Sequence, residues 1–426
     1  MKILSYSILF SGLMSMSISH AWADESSPVI IMDSDPGLLK RKSIVIVKKR
    51  STENEKKGIP LGNFTFLPGF MITEYHDDNV YATESATKSD FVTVFTPTFS
   101  LKSNWKKHAI NMDGGIEVAR FSELTTENTE DIWLNLNGKY DITKEQYLRA
   151  GYSYSRDHED RGSADAAIGN SPVKFDDVSA HIGYSINRNN NHFKIIYNSK
   201  KLDFYSVDST GGPIQNDDRD RHEYGIGLRY LFRYSTNTAF YVDGVSDNRD
   251  YDLTPDYEGN NRNSQGYRYS IGIEHVTPTS FGRFYIGQLN RNYKSSIFES
   301  INEPDVGLKF SWKFNPKSNL VLETKRSIEE TTLNNSPGYL MDDYSLNLSI
   351  DLTDKNNLNF NATNAKTTYY VTQREDDYLN FSIGYSLKMQ DNLTFSFDLH
   401  RANRDSNDSG QNYQINQVFL RIKAAI

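Results

Sequence analysis

From Phe64 onward the chain alternates apolar residues with small or polar ones. In one stretch Val178, Ala180, Ile182 and Tyr184 are apolar, and the residues between them are Ser, His and Gly. The same alternation recurs in segments that include 224–232, 306–314, 346–352, 379–387 and 393–399. Successive side chains of a β-strand point to opposite faces, so a period of two residues predicts strands with one apolar face.

The segments between these predicted strands sort by length. Short polar links, such as 141–144 and 390–392, alternate with long ones, such as 158–173 and 206–220. Bacterial outer-membrane barrels are built in this way, with short periplasmic turns and long extracellular loops. Counting hairpins predicts an all-β fold, a transmembrane antiparallel up-and-down β-barrel of about 18 strands, with bounds of about 16 to 20. A soluble sandwich or propeller is the alternative, although its outward face would be the polar one.

The first residues predict a targeting segment. A basic start at Lys2 precedes an apolar run, and Ala21-Trp22-Ala23 has the small-x-small pattern of a signal cleavage site. We therefore predict a Sec signal peptide at 1–23 that is cleaved after Ala23, with an uncleaved membrane anchor as the alternative. An irregular periplasmic arm at 24–62, with one short strand or helical turn, and a barrel at 63–426 complete the predicted domain organisation.

The composition removes several classes of protein. The 426 residues include no Cys, so the chain has no disulfide framework and no Cys-ligated zinc or iron–sulfur site. Beyond the first residues it has no run of about 20 apolar residues, which a polytopic helical membrane protein needs. A formal net charge of -8 argues against nucleic-acid binding. An aromatic content of 13% with a mean hydropathy of -0.63 favours strands.

Charged residues fall on the face opposite to the apolar one, which predicts a polar lumen, because charge on the lipid face costs a few kcal/mol. Six inward cations are the candidate lumenal contacts for a substrate: Arg149, Arg229, Arg233, Arg268, Lys309 and Lys313. They would hydrogen-bond sugars or attract an acidic polymer. The alternative is that they form ion pairs with lumenal acids such as Glu274 and Glu323 and so hold the wall together.

Other residues are assigned to the barrel ends. Aromatic residues near strand ends are candidates for interfacial girdles, among them Tyr75, Tyr140, Tyr234 and Trp312. Residues 77–79 are interpreted as an Asx turn, with a Ca²⁺ site as the less favoured alternative. The acid-rich loop at 216–221 is expected to be solvated, with contact to lipopolysaccharide through divalent ions.

The sequence carries little sign of catalysis. It contains no G-x-S-x-G elbow, no H-E-x-x-H motif and no phosphate-binding glycine loop. We therefore predict no enzyme activity, no catalytic residue, no metal and no cofactor. An outer-membrane hydrolase is the least favoured function, and it would use His181 with Ser179 or Ser185.

Several segments resemble one known family. They are Pro68-Gly69-Phe70, Tyr75-His76-Asp77-Asp78-Asn79-Val80-Tyr81-Ala82-Thr83, Lys88-Ser89-Asp90-Phe91-Val92-Thr93, Pro97, Ser103-Asn104-Trp105-Lys106-Lys107-His108 and Tyr152-Ser153-Tyr154-Ser155-Arg156-Asp157-His158-Glu159-Asp160-Arg161-Gly162-Ser163. This set is similar to the opening hairpins and third-loop entry of the putative β-barrel porin 2 family. That family includes outer-membrane barrels encoded in exopolysaccharide biosynthesis operons. The resemblance is sharpest over residues 64–165 and implies an outer-membrane barrel linked to polysaccharide secretion.

Together these observations predict a porin-like protein of the Gram-negative outer membrane that exports exopolysaccharide or capsular polysaccharide. The alternative is a non-conducting surface barrel that anchors polysaccharide while its lumen stays plugged. The predicted partners are outer-membrane lipid and lipopolysaccharide, the polysaccharide substrate and periplasmic polysaccharide-export components, but no nucleic acid.

Overall fold

The structure is a computed structural model that describes residues 58–163, 166–167, 169–331, 333 and 336–425. The predicted signal peptide, its cleavage site at Ala21 and Ala23, and most of the predicted arm lie outside these residues. Among the described residues, no helix has the length and apolar character needed to cross a bilayer.

Nineteen strands and two single-turn 3-10 helices make up the regular structure. The helices are Thr125–Glu127 and Asp217–Arg219. The strands are β1 Ile59–Leu61, β2 Phe64–Asp77, β3 Asp90–Ser103, β4 Ala109–Phe121, β5 Thr129–Asp141, β6 Gln146–His158, β7 Lys174–Arg188, β8 Asn191–Phe204, β9 Arg221–Arg233, β10 Thr238–Tyr251, β11 Ser264–Val276, β12 Ser280–Tyr293, β13 Ile301–Asn315, β14 Ser318–Glu329, β15 Tyr339–Asp351, β16 Asn356–Tyr369, β17 Glu375–Gln390, β18 Leu393–Ser406 and β19 Tyr413–Ala425.

Strands β2 to β19 form a closed barrel of 18 strands. Each strand pairs antiparallel with its sequence neighbours, and β19 returns to β2 in a register that runs from Gln417↔Asp77 to Ala425↔Gly69. Closure pairs the first barrel strand with the last, so most backbone groups pair within the wall and its outer face can be apolar. The predicted fold class and strand number are therefore confirmed.

The short strand β1 occupies the edge of β2 that β19 does not reach. It pairs with β2 through Ile59↔Phe66 and Leu61↔Phe64, whereas β19 ends opposite Gly69. A turn at Gly62, whose φ of 60° suits glycine, joins β1 to β2. Strand β1 lies in the part of the chain that the sequence assigns to the arm, and it covers the backbone at the short-turn end of the wall.

The two faces of the wall follow the predicted alternation. Along β9, Leu228 is 54% exposed and faces outward, whereas its neighbour Arg229 is 4% exposed and faces the lumen. Ile271 and Val306, on β11 and β13, are 58% and 50% exposed on the same outer face.

Two of the aromatic residues predicted for the interfacial girdles, Tyr140 and Tyr234, are exposed on the outer face, as the prediction requires. It is wrong for Tyr75, because that residue has lumenal parity and stacks on Phe419 with ring centroids 4.8 Å apart.

We expect Leu228→Arg to destabilise the barrel by about 2–4 kcal/mol, because it places a charge near the middle of the lipid-facing wall. The matched control is Asn347→Arg, since Asn347 is an exposed lumenal residue of β15. Urea unfolding in lipid vesicles measures the free energy of unfolding of both variants. Equal losses of stability in the two variants would contradict the assignment of the faces.

Candidate functional site: a charged constriction and an uncharged face in the lumen

Two long loops fold into the lumen instead of extending into solvent. The loop between β14 and β15 reaches Arg249 and Tyr251 on β10, and the loop between β6 and β7 reaches Tyr413 on β19. Charged and aromatic side chains that are buried in the lumen fix both loops. We call the two inward loops and the side chains that fix them the constriction.

Arg249 is the centre of the first contact. Its guanidinium is fully buried, donates through Nη1 to Glu330, and donates through Nη2 to the Ile328 carbonyl at 2.9 Å. The Tyr251 hydroxyl donates to the other Glu330 oxygen at 2.5 Å. Because β10 supplies both donors and the loop supplies the carboxylate, this contact joins strands on separate parts of the barrel wall.

Arg262 secures the same loop from the β10–β11 connection. Its Nε donates to Asp256 at 2.6 Å, and its Nη1 donates to the carbonyls of Thr331 and Ser336 at 2.6 and 3.0 Å. Its side chain is 2% exposed. A guanidinium that binds a carboxylate and two loop carbonyls fixes the backbone as well as the charge.

The second loop is tied by two further arginine–glutamate pairs. Arg219 donates through Nη1 to Glu159 at 2.8 Å, and both side chains are buried. Arg161 forms a bidentate pair with Glu127 at 2.7 and 2.8 Å. The Tyr413 hydroxyl donates to the Gly162 carbonyl at 3.3 Å. The loop is therefore held on opposite flanks, which narrows the extracellular half of the lumen.

The six predicted lumenal cations lie on the lumenal face, but several are engaged with acids. Arg229 donates to Asp243 at 2.6 Å, Arg268 to Asp305 at 2.6 Å, and Lys309 lies 2.9 Å from Glu323. Arg229 also lies 3.9 Å from Glu274. The remaining three are Arg149, which lies over the Tyr147 ring, Arg233, whose Nη1 donates to the Asn189 carbonyl at 3.5 Å, and half-buried Lys313. Ion pairs with acids therefore account for Arg229, Arg268 and Lys309, and contact of any of the six cations with a polymer stays a prediction.

Arg268 shows how tightly one of these cations is positioned. Its Nη2 donates to the Tyr285 hydroxyl at 2.6 Å, and the guanidinium lies 5.4 Å from the centre of the same ring. The ring in turn covers Gly307, where an added Cβ would come within 2.2 Å of it. Glycine at 307 therefore allows the tyrosine to lie flat on the wall and present its hydroxyl to Arg268.

An uncharged face covers another part of the lumen, on β15 to β17. It consists of Asn347, Ser349, Asn357, Asn359, Asn361 and Ser382, which all have lumenal parity. Asn357 donates to Ser349 at 3.0 Å and Asn361 donates to Ser382 at 3.1 Å, while Asn347 bonds to Asn361 and Asn359 to Asn357. These side chains are half-buried or exposed. We call this set the amide face.

The loop at 216–221 is packed, and the expectation of a solvated loop is wrong. Asn216, Arg219 and Arg221 are 3%, 3% and 1% exposed. Burial raises the pKa of the Asp220 carboxyl to about 6, with help from the charges of Asp203 and two further acids, while a hydrogen bond from a backbone amide opposes the shift. Sequence reasoning missed this packing because Arg219 binds Glu159, which lies 60 positions away on the β6–β7 loop.

Contacts within the protein account for the polar residues that metal binding or catalysis would use. Asp131, Asp157 and His158 offer ligand atoms within 4.8 Å of one another, but His158 Nδ1 already lies 2.9 Å from Asp131. The Ser179 hydroxyl donates to Asp177 at 2.6 Å.

Residues 77–79 form the predicted Asx turn. The backbone amide of Asn79 donates to the Asp77 carboxylate at 2.8 Å.

The residues of the constriction were not singled out by the sequence. Strand parity alone would have placed Arg221, Glu223, Arg249 and Arg291 on the lumenal face. The inward fold of the loops has no comparable signal, because Arg249 and Glu330 are 81 positions apart. The high charge content of the long loops is the only feature of the sequence that could have suggested that they fold inward.

The chain has a distant likeness to several solved outer-membrane proteins. The outer membrane protein OpdK of Pseudomonas aeruginosa is 9% identical, with 85% of this chain and 99% of that chain covered and a TM-score of 0.47. OccK9 (OpdG) of the same species is 10% identical, with coverage of 85% and 99% and a TM-score of 0.47. The siderophore receptor PirA of Acinetobacter baumannii is 8% identical, with coverage of 86% and 81% and a TM-score of 0.44.

The sequence comparison is more specific. The family model described as putative beta-barrel porin 2 matches residues 54–426, which is most of the chain. No curated protein matches the sequence significantly.

We expect Glu330→Gln to release the β14–β15 loop, because removing one partner of a buried ion pair costs about 3–5 kcal/mol. The single-channel conductance in planar bilayers should rise. Glu323→Gln is the matched control, since its pair with Lys309 is about 40% exposed on each side, and such pairs contribute about 0–1 kcal/mol. Unchanged conductance in Glu330→Gln would show that the loop does not limit flow.

The raised pKa of Asp220 predicts a pH-dependent loop. A carboxyl with a raised pKa favours the packed state while it is protonated, and this contribution is lost as the pH rises through about 6. We therefore expect longer closed periods in bilayer recordings at pH 5 than at pH 7.5. Asp220→Asn should flatten this dependence. A closed fraction that grows with pH in the unmodified protein would contradict the assignment.

Proposed function

The chain belongs to the putative β-barrel porin 2 family, and from that premise we propose that this porin-like outer-membrane barrel exports a hydrated polysaccharide. The proposed substrate is an exopolysaccharide or capsular polysaccharide, and the proposed setting is the outer membrane of a Gram-negative bacterium. The role is passage of a polymer and not catalysis. The signal peptide at 1–23 would deliver the chain through the Sec route.

The amide face is the observation that carries the proposal. Amide and hydroxyl groups donate and accept hydrogen bonds, so they can replace the water that a sugar hydroxyl loses. Each such exchange contributes only about 0.5–1.5 kcal/mol. A polymer therefore meets many weak contacts of similar strength along Asn347, Asn359 and Asn361, which favours sliding over tight binding.

The charged side of the lumen supports the same substrate class. Arg229, Arg268 and Lys309 are each engaged with an acid, so the wall offers donors and acceptors without a strong net attraction for either sign of charge. Strong binding of an ionic polymer would slow its release. A paired wall instead suits a chain that is mostly hydroxyl groups.

The partners follow from this proposal. Periplasmic polysaccharide-export components would deliver the polymer at the short-turn rim, where β1 pairs with β2. Outer-membrane lipid and lipopolysaccharide would surround the apolar outer face, to which Leu228 and Ile271 contribute.

A second function is favoured by the constriction. Arg249, Arg262 and Glu330 are buried, so the inward loop between β14 and β15 is fixed against the lumenal wall. A barrel in this state would hold polysaccharide at the cell surface without conducting it. This anchoring role differs from export in one measurable respect, because it does not require the loop at 330–338 to open.

Blockade of the channel by neutral oligosaccharides tests the export proposal. In the Glu330→Gln background we expect Asn347→Leu with Asn361→Leu to shorten each blockade about thirtyfold, because two hydrogen bonds of about 1 kcal/mol are removed. Asn135→Leu is the matched control, since this lumenal amide lies on β5 and donates to Asp113 at 3.0 Å. Equal shortening in the control would remove the special role of the amide face.

Secretion in cells separates the two functions. Export predicts that deleting the gene abolishes polymer release and that the unmodified chain restores it. Anchoring predicts normal release, with loss of surface-bound polymer after truncation of the long loops. Normal release in the deletion strain, together with a barrel that does not conduct, would overturn export.

A further inference from the structure

The wall between β13 and β14 is incomplete in its extracellular half. Ladder pairs join the two strands from Leu308↔Thr324 down to the short-turn end, but within the described residues 301–329 none joins them above that pair. On the far sides both strands continue, with Arg291↔Ile301 to β12 and Glu329↔Tyr339 to β15. The extracellular ends of β13 and β14 therefore face each other without a ladder.

Pro304 prevents the ladder from resuming at its own position. The Leu308 amide points toward β14, where it donates to the Thr324 hydroxyl at 3.1 Å, so the backbone nitrogens of residues 306 and 304 point the same way. Proline has no N–H and is found essentially on strand edges for that reason. The Pro304 carbonyl accepts instead from Arg326 Nη1 at 3.0 Å.

Side-chain contacts show that the two edges overlap. Ile301 has lumenal parity on β13, whereas Ile328 and Leu340 have outward parity on β14 and β15, yet the three pack in one cluster. Residues on opposite faces of a continuous sheet cannot touch. The β14–β15 hairpin has therefore moved inside β13, so that its outer face lies on the inner face of β13.

The contact between the overlapping strands is apolar, and so is the outer face of β13 beside it. Ile301, Ile328 and Leu340 are 0%, 1% and 9% exposed, and the partly buried residues packed against them are Leu289, Tyr293 and Tyr370. On the outer side Val306 and Leu308 are 50% and 37% exposed. Polar groups close only the edges, where Tyr370 donates to Glu303 at 2.9 Å and Arg326 binds Asp342 at 2.6 Å.

From these contacts we propose that the overlap of β13 with the β14–β15 hairpin is a lateral entry site for an acyl chain of an outer-leaflet lipid. The acyl chain enters between Ile301 and Ile328, and its apolar contacts with both side chains replace the apolar contact between them. Backbone groups exposed at an ordinary strand break would oppose this entry in lipid. Here Pro304 has no N–H group, and Arg326 donates to the Pro304 carbonyl, so fewer backbone groups are left without a partner. The inference does not depend on polysaccharide passage.

The absence of Cys allows a direct test with single labels. Cys at Leu289 carries a bimane fluorophore beside the overlap, on the lumenal face of β12. Val321→Cys is the matched control, because Val321 is also apolar, half-buried and lumenal but has ladder pairs on both sides. Ile286→Cys, on the outer face at 48% exposure, is the lipid-contact standard. All three are placed in vesicles of phosphatidylcholine whose acyl chains carry bromine, which quenches bimane on contact.

We expect several-fold stronger quenching at 289 than at 321, with the largest value at 286. Pro304→Val supplies the missing amide and should reduce the signal at 289, whereas Arg326→Ala removes the bridge and should increase it. A difference in gel mobility between the unheated and the heated protein verifies that each variant is folded. Equal quenching at 289 and 321, unaffected by either substitution, would overturn the proposal.

Discussion

A chain that crosses a bilayer as strands has to satisfy every backbone amide and carbonyl within its own wall, because hydrocarbon offers no partner. The ladder between β19 and β2 meets most of this requirement by joining the first barrel strand to the last. Once the sheet is closed, alternate residues are committed to lipid or lumen. The apolar outer face and the paired charges inside follow from that commitment.

The lumen uses two kinds of polar surface with different energetics. Buried guanidiniums such as Arg249 and Arg262 lose their water and need carboxylates and carbonyls in fixed positions, so they make rigid contacts. The amides of Asn347 and Asn361 keep access to water and exchange partners at little cost. Rigid contacts hold loops, whereas exchangeable ones suit a moving ligand.

The sequence predicts the structure correctly where the position of a residue depends only on its neighbours along the chain. The parity that places Leu228 outside and Arg229 inside is local, so the strands, their number and the sorting of loops by length were predictable. The pairing of Arg249 with Glu330 depends on how a loop folds over many strands, and the sequence has no periodic pattern for that. Pro304 is an intermediate case: a proline inside an alternating segment marks a strand edge, but it does not reveal what lies beside it.

The ion pairs on β9 to β14 have a consequence for direction. Arg229 with Asp243, Arg268 with Asp305 and Lys309 with Glu323 join neighbouring or next-neighbouring strands around the wall. Opposite charges held this close form short dipoles, whose fields fade within a short distance of each pair. These pairs therefore add little to an electrostatic slope from one rim to the other, and in the proposed export role the work that moves a polymer outward would come from outside the wall.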